Sequence, residues 1–363
     1  MSERTLPDVL DFVLPPELEA TMPPEARGLS RDGVKLMVSH PADDRIVHTC
    51  FNRIADYLLS GDVVVINTSG TMNAAFAAQR TDSKAFVIHL STHLPSGEWV
   101  IEVREPDGTG TKPFPAARIG EVYQLSGGGN ATLIEPFGVP QNGRVRLWRA
   151  ELKLPMTLDS YLKHYGNPIR YKYVPQTWDS RYYQTVYVTE MGSAEMPSAG
   201  RAFTPEIITQ LVAKGVQVVP LLLHTGVSSM EEHEPPYAEY YRVPAVTAHT
   251  VNMAHANGGR VIAIGTTVVR TLETVADQNG LVHAGEGWTE TIITPEHGVQ
   301  AVDGLLSGLH EPKATHLAML EALAPRDHLA KAYSQALEHH YLWHEFGDLH
   351  LILNPPRPVI EGS

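Results

Sequence analysis

The sequence predicts an α/β domain with an antiparallel β-barrel domain inserted near its N-terminal end. Three observations support this prediction. A buried strand, a tight turn and an amphipathic helix follow one another at residues 260–273, and strands alternate with helices after residue 150. Residues 61–150 instead show short apolar runs between turn signals, with no helical period. We therefore assign residues 1–60 and 151–363 to the α/β domain and residues 61–150 to the barrel.

The barrel is predicted from strands at regular spacing. A proline-rich segment at residues 14–24 and a helical pattern at 51–59 come first. The predicted strands are residues 63–66, 85–88, 99–103, 119–123, 131–134 and 145–148. Turn signals separate them at residues 95–97, 107–108, 127–130 and 142–143. No helix follows the glycine-rich loop at 127–129, so we interpret this loop as a hairpin and not as a phosphate-binding loop.

The α/β region is predicted from buried strands and amphipathic helices. Helices are expected at residues 205–214, 267–276, 315–323 and 327–340, and strands at 216–223, 260–264 and 349–353. The apolar β-branched run at 261–264 ends at Gly265, and Thr266 or Thr267 is expected to cap the helix that follows. The free amides and positive dipole end of such a helix suit an anion or a polar ligand group. The alternative is an ordinary strand-to-helix turn with a threonine cap.

Composition narrows the class of protein. Of the 363 residues, 43% are hydrophobic and 19% are charged, as expected for a globular protein. No apolar run is long enough to span a bilayer, and the N-terminus lacks a signal-peptide pattern. A lone cysteine, Cys50, excludes an internal disulfide and a cysteine-based zinc site, so we expect a cytoplasmic protein. The net charge of −13 argues against nucleic-acid binding through the overall charge of the protein but allows binding through a local basic patch.

An aromatic-rich run interleaved with basic residues is the best candidate for RNA contact. Its members are Tyr161, Lys163, Tyr165, Arg170, Tyr171, Lys172, Tyr173, Trp178, Arg181, Tyr182 and Tyr183. Bases stack on aromatic rings, and basic side chains contact phosphates. The alternative is a packed connection between the two domains.

A histidine group near the C-terminus is the one candidate for a metal site. His340 and His344 are spaced to share a helix face, next to His339. No HExxH arrangement and no nearby cysteine accompany them. We therefore expect no metal.

Several segments, taken in order, resemble one family. They are residues 10–18, 61–67, 183–187 with Gly192 and Ser193, 197–200 ahead of Phe203 and Thr204, 260–273, Val302 with Asp303, His310, Pro312 and 346–348. This ordered set covers nearly the whole chain. It is similar to the S-adenosylmethionine:tRNA ribosyltransferase-isomerase family of queuosine biosynthesis, in which a β-barrel domain is joined to an α/β domain.

The resemblance implies a reaction and its substrates. The family transfers the ribosyl part of S-adenosylmethionine to a 7-aminomethyl-7-deazaguanine base in tRNA and releases adenine and methionine. The sulfonium acidifies the neighbouring carbon, so a positioned base can start the chemistry. The methionine and ribose portions need fixed polar partners, and the acceptor needs a pocket for a flipped-out base. S-adenosylmethionine acts as co-substrate, and the implied partners are tRNA or a small deazapurine or nucleoside.

The resemblance also implies site residues. Glu239 and His310 are the candidate catalytic residues, and Asn67, Tyr183 and Gln184 are the candidate substrate-binding residues. The candidates for S-adenosylmethionine contact are Gly200, Arg201, Phe203, Thr204, Gly265, Thr266, Thr267, Arg270 and Glu273.

Each candidate with a charge or an imidazole has a structural alternative. Glu239 is either a base or ribose-hydroxyl acceptor, or a surface carboxylate in a tyrosine-rich loop. Arg270 and Glu273 either contact the ligand or form an exposed i,i+3 ion pair. His310 either acts on the substrate or makes a structural hydrogen bond. Arg201, new relative to the family, is a candidate anion contact.

The departures from the family fall on polar positions. Thr68, Ser69 and Gly70 stand where the family has an aspartate, a threonine and an arginine, and Asn73 and Ala75 replace a proline and a second arginine. Ala202 replaces a histidine, residues 225–230 replace a glycine- and threonine-rich segment, Pro235 or Pro236 and Tyr237 replace two histidines, and Gly308 and Leu309 replace an asparagine-phenylalanine pair.

Losing arginines and histidines removes anion contacts and proton carriers. Two alternatives to the family reaction are therefore open. One is an enzyme of this fold that uses S-adenosylmethionine on a small molecule. The other is a catalytically silent paralogue that binds a nucleoside.

Overall fold

The computed structural model describes residues 10–138, 145–227 and 237–357. Within these residues the strands are β1 (Lys35–His40), β2 (Arg45–Cys50), β3 (Val63–Asn67), β4 (Ser69–Thr71), β5 (Ala75–Arg80), β6 (Ala85–His93), β7 (Trp99–Asp107), β8 (Gly110–Pro113), β9 (Val122–Leu125), β10 (Asn130–Phe137), β11 (Leu147–Lys153), β12 (Glu190–Ser193), β13 (Gln217–Leu223), β14 (Glu239–Val243), β15 (Val261–Ile264), β16 (Gly285–Thr289), β17 (Gly304–Gly308) and β18 (Leu349–Leu353).

The α-helices in the same described residues are α1 (Leu158–Tyr165), α2 (Pro205–Ala213), α3 (Ala245–Ala256), α4 (Thr266–Val275), α5 (Thr315–Glu321) and α6 (Arg326–Glu338). The helical pattern predicted at residues 51–59 is a 3-10 helix, Phe51–Tyr57. None of the helices among the described residues combines the length and the apolar character that crossing a membrane requires.

A nine-stranded mixed sheet forms the centre of the α/β part, in the order β16-β14-β13-β3-β15-β17-β18-β1-β2. Strands β13, β3, β15 and β17 run parallel to one another. Side chains alternate along each strand, so the sheet buries both faces. Val63 and Val65 share a core with apolar residues of α3, α4 and α6, whereas Val64 and Ile66 share another with residues of α2.

The second part is a closed antiparallel barrel. Its six strands pair in the order β5-β6-β7-β11-β10-β9, and β9 returns to β5. Strand β8 is added to β7 outside this ring. The hairpin expected at the glycine-rich loop is confirmed, since β9 and β10 pair antiparallel across it. The predicted fold class, α/β with an inserted antiparallel barrel, is confirmed.

Strand β3 corrects one expectation. The spacing of apolar runs predicts residues 63–66 as a strand of the barrel region, but β3 is a central strand of the mixed sheet, between β13 and β15. All five of its residues are buried. A run buried on both faces is typical of a central parallel strand.

Candidate functional site

A cleft of about 560 Å³ opens where the parallel strands of the mixed sheet end. Residues just beyond the carboxyl ends of β13, β15 and β17 line it, at Thr225, Gly265 and His310. Ser91 of barrel strand β6 and Tyr173 from the segment after α1 line it as well. Ligands of open α/β sheets bind outside the carboxyl ends of the strands, and small-molecule sites commonly measure about 300–1,000 Å³.

The turn before α4 lies in the wall of this cleft. Gly265 is the N-cap residue of α4, with φ 95° and ψ 155°, a conformation that an L side chain adopts only with strain. Contrary to the expected threonine cap, no side chain caps this helix. Thr266 and Thr267 lie inside the first turn and line the cleft. The positive end of the helix dipole therefore faces the ligand space.

Glu239 and Arg270 form an ion pair in the cleft wall. Nη1 of Arg270 donates to Oε2 of Glu239, and the backbone N–H of Gly226 donates to Oε1 of Glu239 over 2.8 Å. The guanidinium is also anchored by its Nε, which donates to the carbonyl of Thr291 over 3.1 Å. Both side chains are largely buried. Glu239 is thus not a surface carboxylate, and its charge is compensated.

His310 presents a neutral imidazole to the cleft. Its Nε2 lies 2.6 Å from Oγ of Ser307, and its ring stacks on His316 with centroids 4.7 Å apart. Burial lowers the pKa of His310 well below its usual value and lowers the pKa of His316 to about 4. A buried imidazole loses the hydration that stabilises its charged form. Both rings are therefore uncharged at neutral pH, and each has one nitrogen that can accept a hydrogen bond.

Four predicted S-adenosylmethionine contacts lie outside the cleft lining. Arg201, with 3% of its side chain exposed, donates to the Tyr182 carbonyl over 2.8 Å and to Oε2 of Glu25 over 2.7 Å. Gly200 packs against Tyr187, since a Cβ there would lie 1.9 Å from the tyrosine oxygen. Phe203 is a core residue, and the Thr204 side chain caps α2. Neighbouring Ser198 and Ala199 line the cleft instead.

Three further predicted residues also have structural partners. Glu273 neither lines the cleft nor forms an ion pair with Arg270. Its carboxylate accepts hydrogen bonds from the N–H groups of Gln300 and Ala301, each over 2.9 Å. Asn67 joins β3 to β13 through the backbone of Leu223 and lies behind the α4 turn. The Gln184 side chain pairs with the backbone of Thr71 in β4. Of the substrate-binding candidates, Tyr183 alone is in the cleft lining.

Sequence reasoning missed several cleft residues. They come from separate segments and include Ser91, Thr225, Gly226, Glu311, His316 and Glu345. The fold brings them together from the barrel, the ends of three strands and the loop before β18. The available signals were their positions in the sequence: Thr225 and Gly226 lie in an altered family segment, and Glu311 and Glu345 are next to matched residues.

The altered polar positions after Asn67 are packed and not open. Oγ of Ser69 lies 2.6 Å from Oγ of Ser193 and 2.7 Å from Nδ1 of His224. A Cβ on Gly70 would lie 2.5 Å from Sδ of Met191. The site of the family's arginine is thus filled by neighbouring side chains. Residues 228–230, Pro235 and Pro236 fall outside the described residues.

The aromatic residues of this run belong to, or pack against, two apolar clusters, one in the barrel and one that contains Ala20 and Phe346. Tyr161 is in the barrel core, and Arg170 donates to the carbonyls of Val174 and Thr109. Part of the run nevertheless reaches the ligand space, since Tyr171, Lys172, Tyr173 and Tyr183 line the cleft.

The histidine group near the C-terminus does not share a helix face. Helix α6 ends at Glu338, His339 is its C-cap, and His340 and His344 have φ angles of 53° and 72°. His344 faces the cleft instead. Among the residues that the structure describes, no three histidine, cysteine or acidic side chains are arranged to hold a metal ion.

The cleft lies at the carboxyl edge of parallel strands and is bordered by a helix N-terminus, a buried ion pair and neutral histidines. These features are typical of an enzyme with a site for a small polar substrate. Comparison with known proteins identifies the family. The family model described as "Queuosine biosynthesis protein" matches residues 8–352. The chain belongs to this family, which confirms the resemblance noted in the sequence.

Named relatives agree with this assignment. S-adenosylmethionine:tRNA ribosyltransferase-isomerase of Symbiobacterium thermophilum is 36% identical over 354 residues, covering 94% of this chain and 98% of that protein. The enzyme of the same name from Moorella thermoacetica is 35% identical, with the same coverage. The crystal structure of S-adenosylmethionine tRNA ribosyltransferase from Thermotoga maritima has a TM-score of 0.51 at 29% identity, covering 95% of this chain and 99% of that one.

Proposed function

We propose that this protein is a transferase of queuosine biosynthesis that moves the ribosyl part of S-adenosylmethionine to a 7-aminomethyl-7-deazaguanine base in tRNA, with isomerisation of the sugar and release of adenine and methionine. The relatives that match this chain over nearly their whole length carry the name of this activity. Because the acceptor is a tRNA, we place the reaction in the cytoplasm.

The observation that carries the proposal is the convergence of the α4 N-terminus, Arg270 and neutral His310 on one cleft. The helix dipole suits the carboxylate of the methionine portion, and the Arg270 guanidinium holds Glu239 in the wall of the same cleft. The imidazoles of His310 and His316 lie in the same cleft lining, in position to reach a proton on the carbon next to the sulfonium. The barrel contributes to the same cleft, so a base presented from outside would lie between the two parts.

The residues divide the work as follows in this proposal. His310 accepts the proton in this proposal, because it lines the cleft and its ring is held in place by Ser307. Glu239, fixed by Arg270 and by the amide of Gly226, accepts a hydrogen bond from a ribose hydroxyl. Gly265, Thr266 and Thr267 bind the methionine carboxylate through the helix N-terminus. Tyr183, with Tyr171 and Tyr173, offers aromatic faces to the acceptor base.

Incubation of the purified protein with S-adenosylmethionine tests the proposal. Adenine and methionine are measured by chromatography with tRNA carrying the aminomethyl-deazaguanine base and with the same tRNA carrying guanine. Release of both products with the first tRNA alone is the expected result. Replacing the proposed base, His310, with Gln should lower kcat by about 10²-fold or more, whereas Glu286→Gln, on strand β16 and outside the cleft lining, should not. Binding of both substrates without product release would contradict the proposal.

One observation favours a second candidate, a silent nucleoside-binding paralogue. Burial holds the pKa of His310 well below its usual value, which makes this imidazole a weak base, and both oxygens of Glu239 already accept hydrogen bonds, from Arg270 and from the amide of Gly226. S-adenosylmethionine binding without release of adenine, with either tRNA or with a free deazapurine, would identify this candidate.

A further inference from the structure

One end of the cleft gathers acidic side chains that form no ion pair with a lysine or arginine of the described residues. Tyr173, Glu311, His344 and Glu345 line this end, which we call the acidic corner. Tyr173 comes from the segment after α1, Glu311 follows β17, and the other two precede β18. The four residues meet only through the tertiary fold.

The contacts within the acidic corner leave acceptor atoms unused. The Tyr173 ring stacks on His344 with centroids 3.8 Å apart and planes at 9°, and its hydroxyl donates to Oε2 of Glu345 over 2.6 Å. The imidazole of His344 is 7% exposed, and its Nε2 makes no hydrogen bond. Its two nitrogens lie 3.7 Å from Glu19 and 3.7 Å from Glu311, too far for direct hydrogen bonds.

The acidic corner contains two carboxyl groups and no lysine or arginine partner among the described residues. Among the described residues, no lysine or arginine nitrogen lies within 4 Å of the carboxylates of Glu311 or Glu345. Burial lowers the pKa of His344 to about 4, so the imidazole is neutral, and burial raises the pKa of Glu345. This differs from Glu239 elsewhere in the same cleft, whose carboxylate is paired with Arg270.

These features fit a ligand that brings a positive charge and several donors. Carboxylates and a neutral imidazole nitrogen accept hydrogen bonds, and a primary ammonium carries three N–H donors. A metal ion fits less well, because no three ligating side chains converge in the described part of the chain.

We propose that the acidic corner binds the primary ammonium group of a substrate, with Glu311 and Glu345 as the counter-charges and His344 as a hydrogen-bond acceptor. This inference rests on the proposed function, because both of its substrates carry such a group. S-adenosylmethionine has an α-ammonium on its methionine portion, and the acceptor base has an aminomethyl nitrogen.

Binding measurements without turnover test the acidic corner. The variants are Glu311→Gln, at the rim with a 59% exposed side chain, and Glu311→Gln combined with Glu345→Gln. Glu206→Gln, in the exposed first turn of α2, is the matched control. Calorimetry gives the affinity for S-adenosylmethionine and for its analogue without the α-amino group. The second arm compares tRNA with the aminomethyl base and tRNA with guanine.

Loss of one charged hydrogen-bond partner should weaken binding of the amine-bearing ligand about tenfold, with a larger loss in the double variant. The ligand without the amine should bind all variants equally, and the arm that shows the loss identifies which ammonium is bound. Unchanged affinity in both arms, or an equal loss with and without the amine, would overturn the inference. If the wild-type protein binds but releases no adenine, the proposed function fails while these affinities still test the corner.

Discussion

At the scale of single residues, the surroundings decide what a side chain does. Three glutamates show this. Glu239 is paired with Arg270, Glu273 binds two backbone amides outside the cleft lining, and Glu345 takes a tyrosine hydroxyl in the acidic corner. The sequence predicted a ligand role for the first two and none for the third. The three glutamates differ in their hydrogen-bond partners and in their depth of burial, and both depend on the tertiary fold.

Buried histidines make the stability of this protein sensitive to acid. Burial lowers the pKa of His350 to about 3, and electrostatic repulsion from His328 contributes in the same direction. The unfolded chain then binds more protons than the native state between about pH 6.5 and pH 3, so stability is full above this range and falls as the pH drops through it.

We expect His350→Gln to reduce this acid sensitivity. Glutamine can keep the hydrogen bond that Nε2 of His350 makes with Ser39 over 2.8 Å, and it does not titrate. Urea unfolding at pH 7.5 and pH 5.0 gives the change in the free energy of unfolding for each protein. The drop should be smaller in the variant. Equal drops would show that His350 does not contribute to the acid response.

At the scale of elements, the sequence predicts the β15–α4 connection correctly but not the way in which the helix is capped. Strand, turn and helix are confirmed, with α4 at Thr266–Val275. The expected threonine cap is absent because Gly265 itself takes the N-cap position with a positive φ. Glycine marks such a turn in a sequence, but the backbone angle that determines capping depends on what packs around it.

Gly265→Ala should destabilise the protein through its backbone. A Cβ at this position would meet Ala199 and Thr267 at an ordinary 3.5 Å, so the cost of about 1–3 kcal/mol arises from the φ of 95°. Affinity for S-adenosylmethionine should fall as well, since the first turn of α4 must shift. Gly285→Ala is the control, because a Cβ there meets nothing within 4 Å and its φ is ordinary. Denaturant unfolding and calorimetry measure both effects. Equal stability of the two variants would refute the argument.

At the scale of the whole molecule, this acidic protein and its tRNA substrate are both negatively charged. The net charge is −13, so any attraction for tRNA has to come from local basic residues. Lys172 is one such residue: it lines the cleft, and 78% of its side chain is exposed. Its position beside Tyr171 and Tyr173 places a positive charge where the acceptor would enter.

Lys172→Ala should weaken tRNA binding and lower the slope of log affinity against log salt by about 1, the value for one lost phosphate contact. Affinity for S-adenosylmethionine should stay the same. Lys112→Ala is the control, since Lys112 is also exposed but lies on barrel strand β8 and outside the cleft lining. Binding titrations at several salt concentrations measure the slope. An unchanged slope in Lys172→Ala would exclude this contact.

The sequence by itself determined the fold class, the family and the secondary structure of the strongly patterned segments. Strand β18 was predicted at its observed bounds, Leu349–Leu353, and the end of α4 within one residue. Such features depend on local periodicity and on ordered motifs, which a single chain displays directly. Gly265, Thr266, Thr267, Arg270, Glu239, His310 and Tyr183 were also predicted as site residues, and all line the cleft.

Only the tertiary structure decided which charged groups face the ligand. It placed β3 in the mixed sheet, paired Arg201 with Glu25 outside the cleft lining, and brought Tyr173, Glu311 and His344 to one corner. These outcomes depend on contacts between residues far apart in the chain. Because burial and pairing set the charge and the free hydrogen-bonding capacity of a side chain, its chemistry is fixed only when the chain has folded.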